Sequence, residues 1–353
     1  MRFAKLLALP TTLLGAAVIG CGGGNVALTP QHSAPTKAPT TTPTMMPSVT
    51  PSMVASPLYY TTDAGSNALT AYRLTANGNI APTVTIAGSN TGLAYPRRIE
   101  FDASGTAYVS NAPASGPHAI TEYSSGSNGN VSPVRTISGS NTGLTGADGL
   151  FLNASGDLYV ANCVTCFQSS GTADAVLEFA PGANGNVAPI ATLSGPNTGL
   201  AGTTNLTFDA AGDLLTTSAT GSPGILIFAP GATGNVAPTG TISGSNTGIN
   251  GPECVVVDTT GAIYVCNSGA NTITVYAAGS QGNVAPVRTL GGSNTLLAGP
   301  TQLAFDAAGN MYVANSGSAS LTVYAPGASG NQVPLFTVTG SSTGLNIPIG
   351  LAL

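Results

Sequence analysis

From residue 58 onward, short runs of Val, Ile, Leu, Thr and Tyr alternate with clusters of Gly, Asn, Ser and Asp. Such runs, a handful of residues long and bounded by turn-formers, predict strands. The pattern recurs. A phrase whose cleanest copy is GNVAPVRTL at 282–290 is marked by Gly-Asn pairs at 78–79, 129–130, 185–186, 234–235, 282–283 and 330–331, spaced 51, 56, 49, 48 and 48 residues apart. Within the fifth copy the runs fall at 253–258, 262–267, 272–276 and 284–290, predicting four strands, a to d. The a–b connection reads Asp-x-x-Gly at 102–105, 209–212, 258–261 and 306–309, and Asn-x-x-Gly at 153–156, which suits a three-residue hairpin with Gly in the left-handed region. The distance from the strand-b aromatic to the strand-c aromatic is 12 residues for Tyr60/Tyr72, Tyr264/Tyr276 and Tyr312/Tyr324, 15 for Tyr108/Tyr123, 20 for Tyr159/Phe179 and 13 for Leu215/Phe228. Every length change therefore sits in the b–c loop.

One four-stranded sheet per 48-residue unit is the blade of an all-β propeller. The first copy starts at strand b, with Tyr59-Tyr60 matching Ile263-Tyr264, and the chain ends on 348–353, which matches strand a. The last strand is thus expected to complete the first blade, which removes two open sheet edges and fixes six blades. A β-solenoid with two coils per repeat is the alternative, but it requires no such permutation of its ends. The segments PRRIEFDASGTAYVSN at 96–111 and PTQLAFDAAGNMYVAN at 300–315 resemble the NHL repeat. That likeness spans all six copies and departs at strand c, where 271–276 lacks the usual basic residue. It implies kinship with propeller lactonases, streptogramin-lyase-like proteins and binding domains that share one fold.

The start of the chain adds an address. Arg2 and Lys5 precede an apolar stretch, 6–19, too short to span a membrane, and it closes on Val18-Ile19-Gly20-Cys21. This resembles a bacterial lipoprotein signal, so residues 1–20 are expected to be removed and Cys21 to carry lipid. Residues 22–57 hold seven Pro and seven Thr and no acid, a composition that cannot bury a core. The expected organisation is signal peptide 1–20, lipidated tether 21–57 and propeller 58–353. The expected location is the bacterial envelope, as an outer-membrane or surface lipoprotein.

Only 6% of residues are charged and there is no Trp. The repeats hold all 13 acids against five Arg, a net charge of minus eight, which argues against a nucleic-acid partner. With Cys21 assigned to lipid, four cysteines remain in an export compartment. Hairpin register sets Cys254 opposite Cys266, within disulfide reach. Cys163 and Cys166, in the longest b–c insertion, suit a local disulfide better than a redox or metal pair, since no second C-x-x-C completes a zinc set.

Strand-a starts and b–c loops share one mouth of a propeller, so the variable loops point to a binding face there. Counting five residues back from the strand-a Asp or its equivalent gives Arg97, Asp148, Thr204, Glu253, Thr301 and Ile349, and four back gives Arg98, Gly149, Asn205, Cys254, Gln302 and Gly350. Arg97, Arg98, Asp148, Asn205, Glu253 and Gln302 are the candidate ligand-binding residues, with His118 at the end of a b–c loop as a possible general base. Asp148, Asn205 and Glu253 could instead hold Ca²⁺, as their placement resembles that of lactonase-like propellers; equally, the acids could pair with Arg97 and Arg98. Asn111, Asn162, Asn267 and Asn315, with Asp63, end strand b and are expected to hold the b–c turn. Three readings follow: a binding module for a protein, peptide or glycan without cofactor, a metal-assisted lactonase or lyase using Ca²⁺, and a structural envelope protein.

Overall fold

A computed structural model describes residues 57–164, 166 and 174–353. The signal, Cys21 and nearly all of the tether lie outside them. The described residues form six four-stranded antiparallel sheets, a six-bladed β-propeller. Strand a is innermost in each blade. It runs over Pro96–Phe101 in blade 2, Ala147–Leu152 in blade 3, Leu206–Phe208 in blade 4, Pro252–Val257 in blade 5 and Pro300–Phe305 in blade 6. Blade 1 takes its strand a from the chain end: Pro348–Ala352 pairs antiparallel with Leu58–Asp63, as the permuted repeat predicts. Blade 4's strand is short because the Thr217 hydroxyl accepts the Thr204 and Asn205 N–H groups at 3.0 Å, in place of ladder carbonyls.

The Asp-x-x-Gly hairpins form as expected. Gly105, Gly156, Gly212, Gly261 and Gly309 adopt φ between 80° and 86°. The Asp102 carboxylate accepts the N–H groups of Ser104 at 2.9 Å and Thr106 at 2.8 Å, which holds its own turn closed.

Strand d is where expectation and fold differ. In blade 5 it spans Arg288–Gly291 rather than 284–290. Pro286 has no N–H for a ladder, and the head of the phrase has another task. Each Gly of the Gly-Asn pair makes a parallel bridge to the last strand of the preceding blade: Gly78 to Val338, Gly129 to Ile86, Gly185 to Ile137, Gly234 to Leu193, Gly282 to Ile242 and Gly330 to Leu290. Each adjoining Asn accepts a backbone N–H from that same neighbour, at 2.7–2.8 Å; Asn283 takes that of Asn246, and Asn79 that of Ser342. The most repeated words of the sequence are therefore a latch between blades. Blade 1 latches onto blade 6, so the ring closes at its rim as well as at its hub.

Apolar clusters fill the spaces between blades. The seam is packed like any other: Tyr59 of blade 1 lies 5.0 Å from Tyr312 of blade 6, centroid to centroid, and the Tyr312 hydroxyl donates to the Leu74 carbonyl at 3.1 Å. Buried strand-c tyrosines are satisfied across blades in the same way, Tyr72 donating to Thr343 O and Tyr123 to Thr91 O, both at 2.6 Å. Both expected disulfides form, Cys254–Cys266 with 4.9 Å between Cα atoms and Cys163–Cys166 with 5.4 Å.

Candidate functional site

Strand a enters the channel through a β-bulge in blades 1, 2, 3, 5 and 6. A bulge locally breaks the alternation of side chains, so two successive residues can serve the channel mouth. Arg97 and Arg98 do so. The Arg97 guanidinium binds Asp148 of blade 3 at 2.5 Å. Arg98, only 2% exposed, reaches across the ring: its Nη2 donates to the Glu253 carbonyl of blade 5 at 2.8 Å and lies 3.8 Å from that residue's carboxylate, while Nη1 donates to Ile349 O at 3.4 Å. Two guanidinium groups and two carboxylates thus close this mouth with no net charge. Burial raises the Glu253 carboxyl's pKa against the pull of Arg97 and Arg98. The Ser110 hydroxyl donates to Asp148 O, and Thr62 to Arg97 O, both at 2.6 Å, so the layer is held from behind by strand-b side chains.

The sequence-predicted residues separate into three places. Arg97, Arg98, Asp148 and Glu253 converge at the mouth. Asn205 and Gln302, at the positions equivalent to Arg98, engage each other instead, Asn205 Nδ2 donating to Gln302 Oε1 at 3.3 Å, while Asn205 Oδ1 accepts Val255 N–H at 3.1 Å. His118 stands by strand d of its own blade, where its carbonyl accepts the Ser138 hydroxyl at 3.2 Å, and burial lowers its pKa.

For a cation, one atom fits: Asp148 Oδ1 is a buried carboxylate oxygen without a hydrogen-bond partner. The set of Asp148, Asn205 and Glu253 is not gathered around it, because guanidinium groups lie beside both acids and a backbone amide takes the Asn205 oxygen. Among the described residues no three of His, Cys, Asp and Glu are grouped as metal ligands.

The residues ending strand b act on the other connection from the one expected. Asn111, Asn162, Asn267 and Asn315 accept N–H groups of Ala94, Thr145, Asn250 and Ala298, at 3.0–3.2 Å, all in the loop leading into strand a. Asp63 does the same for Asn346 at 2.6 Å while also capping Ser66 in the b–c turn. The end of strand b lies beside the incoming loop of its own blade, and that loop carries the unpaired amides.

Two residues at the channel stood out from no motif. Tyr95, exposed on the b–c face, has φ 50° in the segment Ala-Tyr-Pro-Arg-Arg. Three other blades put Gly202, Gly251 and Gly299 at this position, with φ 72°, 59° and 57°. A bulky residue in that region is an outlier, more so before Pro. It is pinned there: Tyr95 N–H donates to Asn67 Oδ1 at 2.6 Å and its carbonyl accepts Ala112 N–H at 3.2 Å. The Arg97 guanidinium sits 6.0 Å from its ring centroid. Aligning the repeats on Gly rather than on Asp would have exposed it. Glu100 is the second, two residues before the hairpin Asp, where the other blades have Phe151, Thr207, Val256, Ala304 and Ala352.

No protein-family model and no curated protein matches the chain. Solved structures do. A Bacteroides caccae protein of unknown function matches with TM-score 0.58 at 12% identity, over 84% of this chain and 98% of that one. The periplasmic gluconolactonase of Pseudomonas aeruginosa matches with TM-score 0.52 at 16% identity, over 81% and 79%. A putative 6-phosphogluconolactonase from Bacteroides fragilis matches with TM-score 0.50 at 15% identity, over 78% and 79%. At such identities the likeness establishes the fold.

Proposed function

We propose that this chain is a binding module of the bacterial cell envelope, anchored to the membrane by lipid at Cys21, which takes an uncharged glycan on its b–c face. Tyr95 carries the reading. Holding a tyrosine at φ 50° costs about 1–2 kcal/mol that glycine would not, and the residue offers its ring to solvent beside Arg97. Strain fixed from both sides and kept at a channel mouth suits a stacking platform, since the apolar face of a sugar ring packs on an aromatic while its hydroxyls reach neighbouring polar groups. Arg97 and Glu253 supply those groups. The mutual neutralisation of the four charges favours a neutral ligand over an ionic one and leaves no free acid–base pair for chemistry.

The test is binding of the purified chain to an array of envelope-derived oligosaccharides, with Tyr95→Gly as comparator. The wild type is expected to bind a subset and the variant to lose it while remaining folded. Either no glycan bound by the wild type or equal binding by both would overturn the reading.

A metal-assisted lactonase or lyase is the second reading, favoured by the unpartnered Asp148 Oδ1. It requires that Ca²⁺ raise the melting temperature of the wild type and leave an Asp148→Ala, Glu253→Ala double variant unmoved.

A further inference from the structure

Beyond the Arg98 layer the channel continues toward the a–b hairpins, on the opposite side from the glycan face, and joins the cleft between blades 5 and 6 in a cavity of about 740 Å³. Its deep end is polar, formed by the Asn205–Gln302 amide pair and Thr207. On the channel side its walls are apolar, with Phe101, Phe151, Val256, Ala304 and Leu351, while Arg288, Asp258 and Asp306 line the cleft side. Pockets of this size and make-up, apolar with a few convergent polar groups, are the usual form of small-molecule sites.

Glu100 is the one ionisable member of its ring, and it lines this cavity. Buried carboxylates are ordinarily paired, as Glu122 is with Arg135 at 2.6 Å on the same blade. Glu100, half-buried on the cavity wall, has no such pairing. Arg98, two residues earlier on the strand, is directed to Glu253 and Ile349 on other blades, and Arg288, the cation in the cleft between blades 5 and 6, donates to the Tyr264 hydroxyl at 2.8 Å. Burial alone pushes the Glu100 carboxyl up to about 8, with no neighbouring charge contributing. With Arg98 and Arg288 so directed, the fold supplies no counter-ion for the ionised form of this carboxyl.

We propose that this cavity is a binding site for a small organic cation, a primary ammonium on an apolar body, with Glu100 as its counter-ion, the amide pair and Thr207 as further acceptors, and the Phe-lined wall covering the body. Apolar walls select against hydrated metal ions. The repeats' net charge of minus eight draws cations in general toward the domain. Only a ligand with both parts satisfies the carboxyl and the wall together.

The test is calorimetric titration of the purified chain with n-hexylammonium chloride and, separately, hexan-1-ol, for the wild type and Glu100→Gln. The wild type is expected to bind the ammonium roughly tenfold or more tightly than the alcohol, and Glu100→Gln to lose that preference while its affinity for the alcohol is unchanged. Equal affinity for the two probes, a preference that survives in Glu100→Gln, or no binding of either probe would each overturn the proposal. Glu100→Gln keeps the shape of the protonated side chain, so a melt showing it folded excludes collapse as the cause. Tyr95 lies on the other side of the Arg98 layer, and the glycan reading stands or falls separately.

Discussion

The rim latch and the channel wall are drawn from the same six repeats and treat repetition in opposite ways. At the rim, six Gly-Asn pairs make six equivalent bridges, and the same asparagine acceptor meets the same amide in every blade. At the wall, equivalent positions hold Arg98, Gly149, Asn205, Cys254, Gln302 and Gly350. The rim solves one geometric problem, the angle between neighbours, so every blade needs the same solution. The wall encloses a single space to which the six blades bring five kinds of residue, glycine recurring at 149 and 350. Repetition in this chain therefore marks scaffold, and departures from it mark the places where a ligand can be met.

The largest expected effect is at the wall. Arg97→Met leaves Asp148 buried beside Arg98 without its 2.5 Å partner, and breaking a buried pair from one side costs about 3–5 kcal/mol. Denaturant melts should show this loss, and adding Asp148→Leu should recover most of it. If the single change costs under about 1 kcal/mol, the pair does not hold the mouth closed and the contrast with the rim weakens.

At the rim the test is uniformity. Gly88, Gly139, Gly195, Gly244, Gly292 and Gly340 have φ between 114° and 125°, and a Cβ on any of them would fall 2.5–2.6 Å from the latching asparagine of the next blade. Each Gly→Ala change is expected to cost about 2–3 kcal/mol through backbone strain and loss of the latch. The six values should agree within about 1 kcal/mol, since each blade contacts only its neighbours. A wide spread in thermal melts would mean that the rim, too, is specialised.

The same contrast explains what the sequence disclosed. Blade number, closure by 348–353, hairpin type and Cys254–Cys266 all follow from local pattern or strand register, which repetition amplifies sixfold. The latch was visible as a phrase, but its role was not, because the partner of Asn283 is Asn246 in another blade and spacing within a repeat cannot reveal it. Likewise Asn267 reads as a cap for the turn it precedes, yet it serves Asn250 across the blade. Arg97, Arg98, Asp148 and Glu253 were legible as a group because counting from a fixed turn residue maps directly onto depth in the channel. Glu100 sits at another depth, and Tyr95 is unusual only in a backbone angle.

Glu100 gives a smaller effect with a pH signature. Its neighbours along and across the strand are Arg98, engaged elsewhere, Asp102, closed on its own turn, and Tyr108 opposite on strand b. Folding lifts the carboxyl from its ordinary 4.5 to about 8, so between these values the native protein keeps a proton that the unfolded chain has released. The stability tied to that proton is complete below about pH 4.5, declines as pH rises and is gone above about pH 8. Glu100→Gln should flatten this decline and exceed the wild type by about 2 kcal/mol above pH 8. Melts that run parallel across this range would return Glu100 to the class of ordinary surface acids.

The smallest effect is the one that separates scaffold from site most sharply. Gly is the common residue at the Tyr95 position, with the same left-handed backbone in blades 4, 5 and 6, so Tyr95→Gly restores the rule of the repeat. If the position is scaffold, the substitution removes strain and little else, and stability rises by about 1 kcal/mol. Loss of the aromatic's contact with Arg97 subtracts a few tenths from that gain, since exposed cation–π contacts are weak. A rise accompanied by loss of glycan binding means that stability has been given up locally for recognition. A fall in stability would instead show that the ring packs the mouth, and would move Tyr95 to the side of the rim residues.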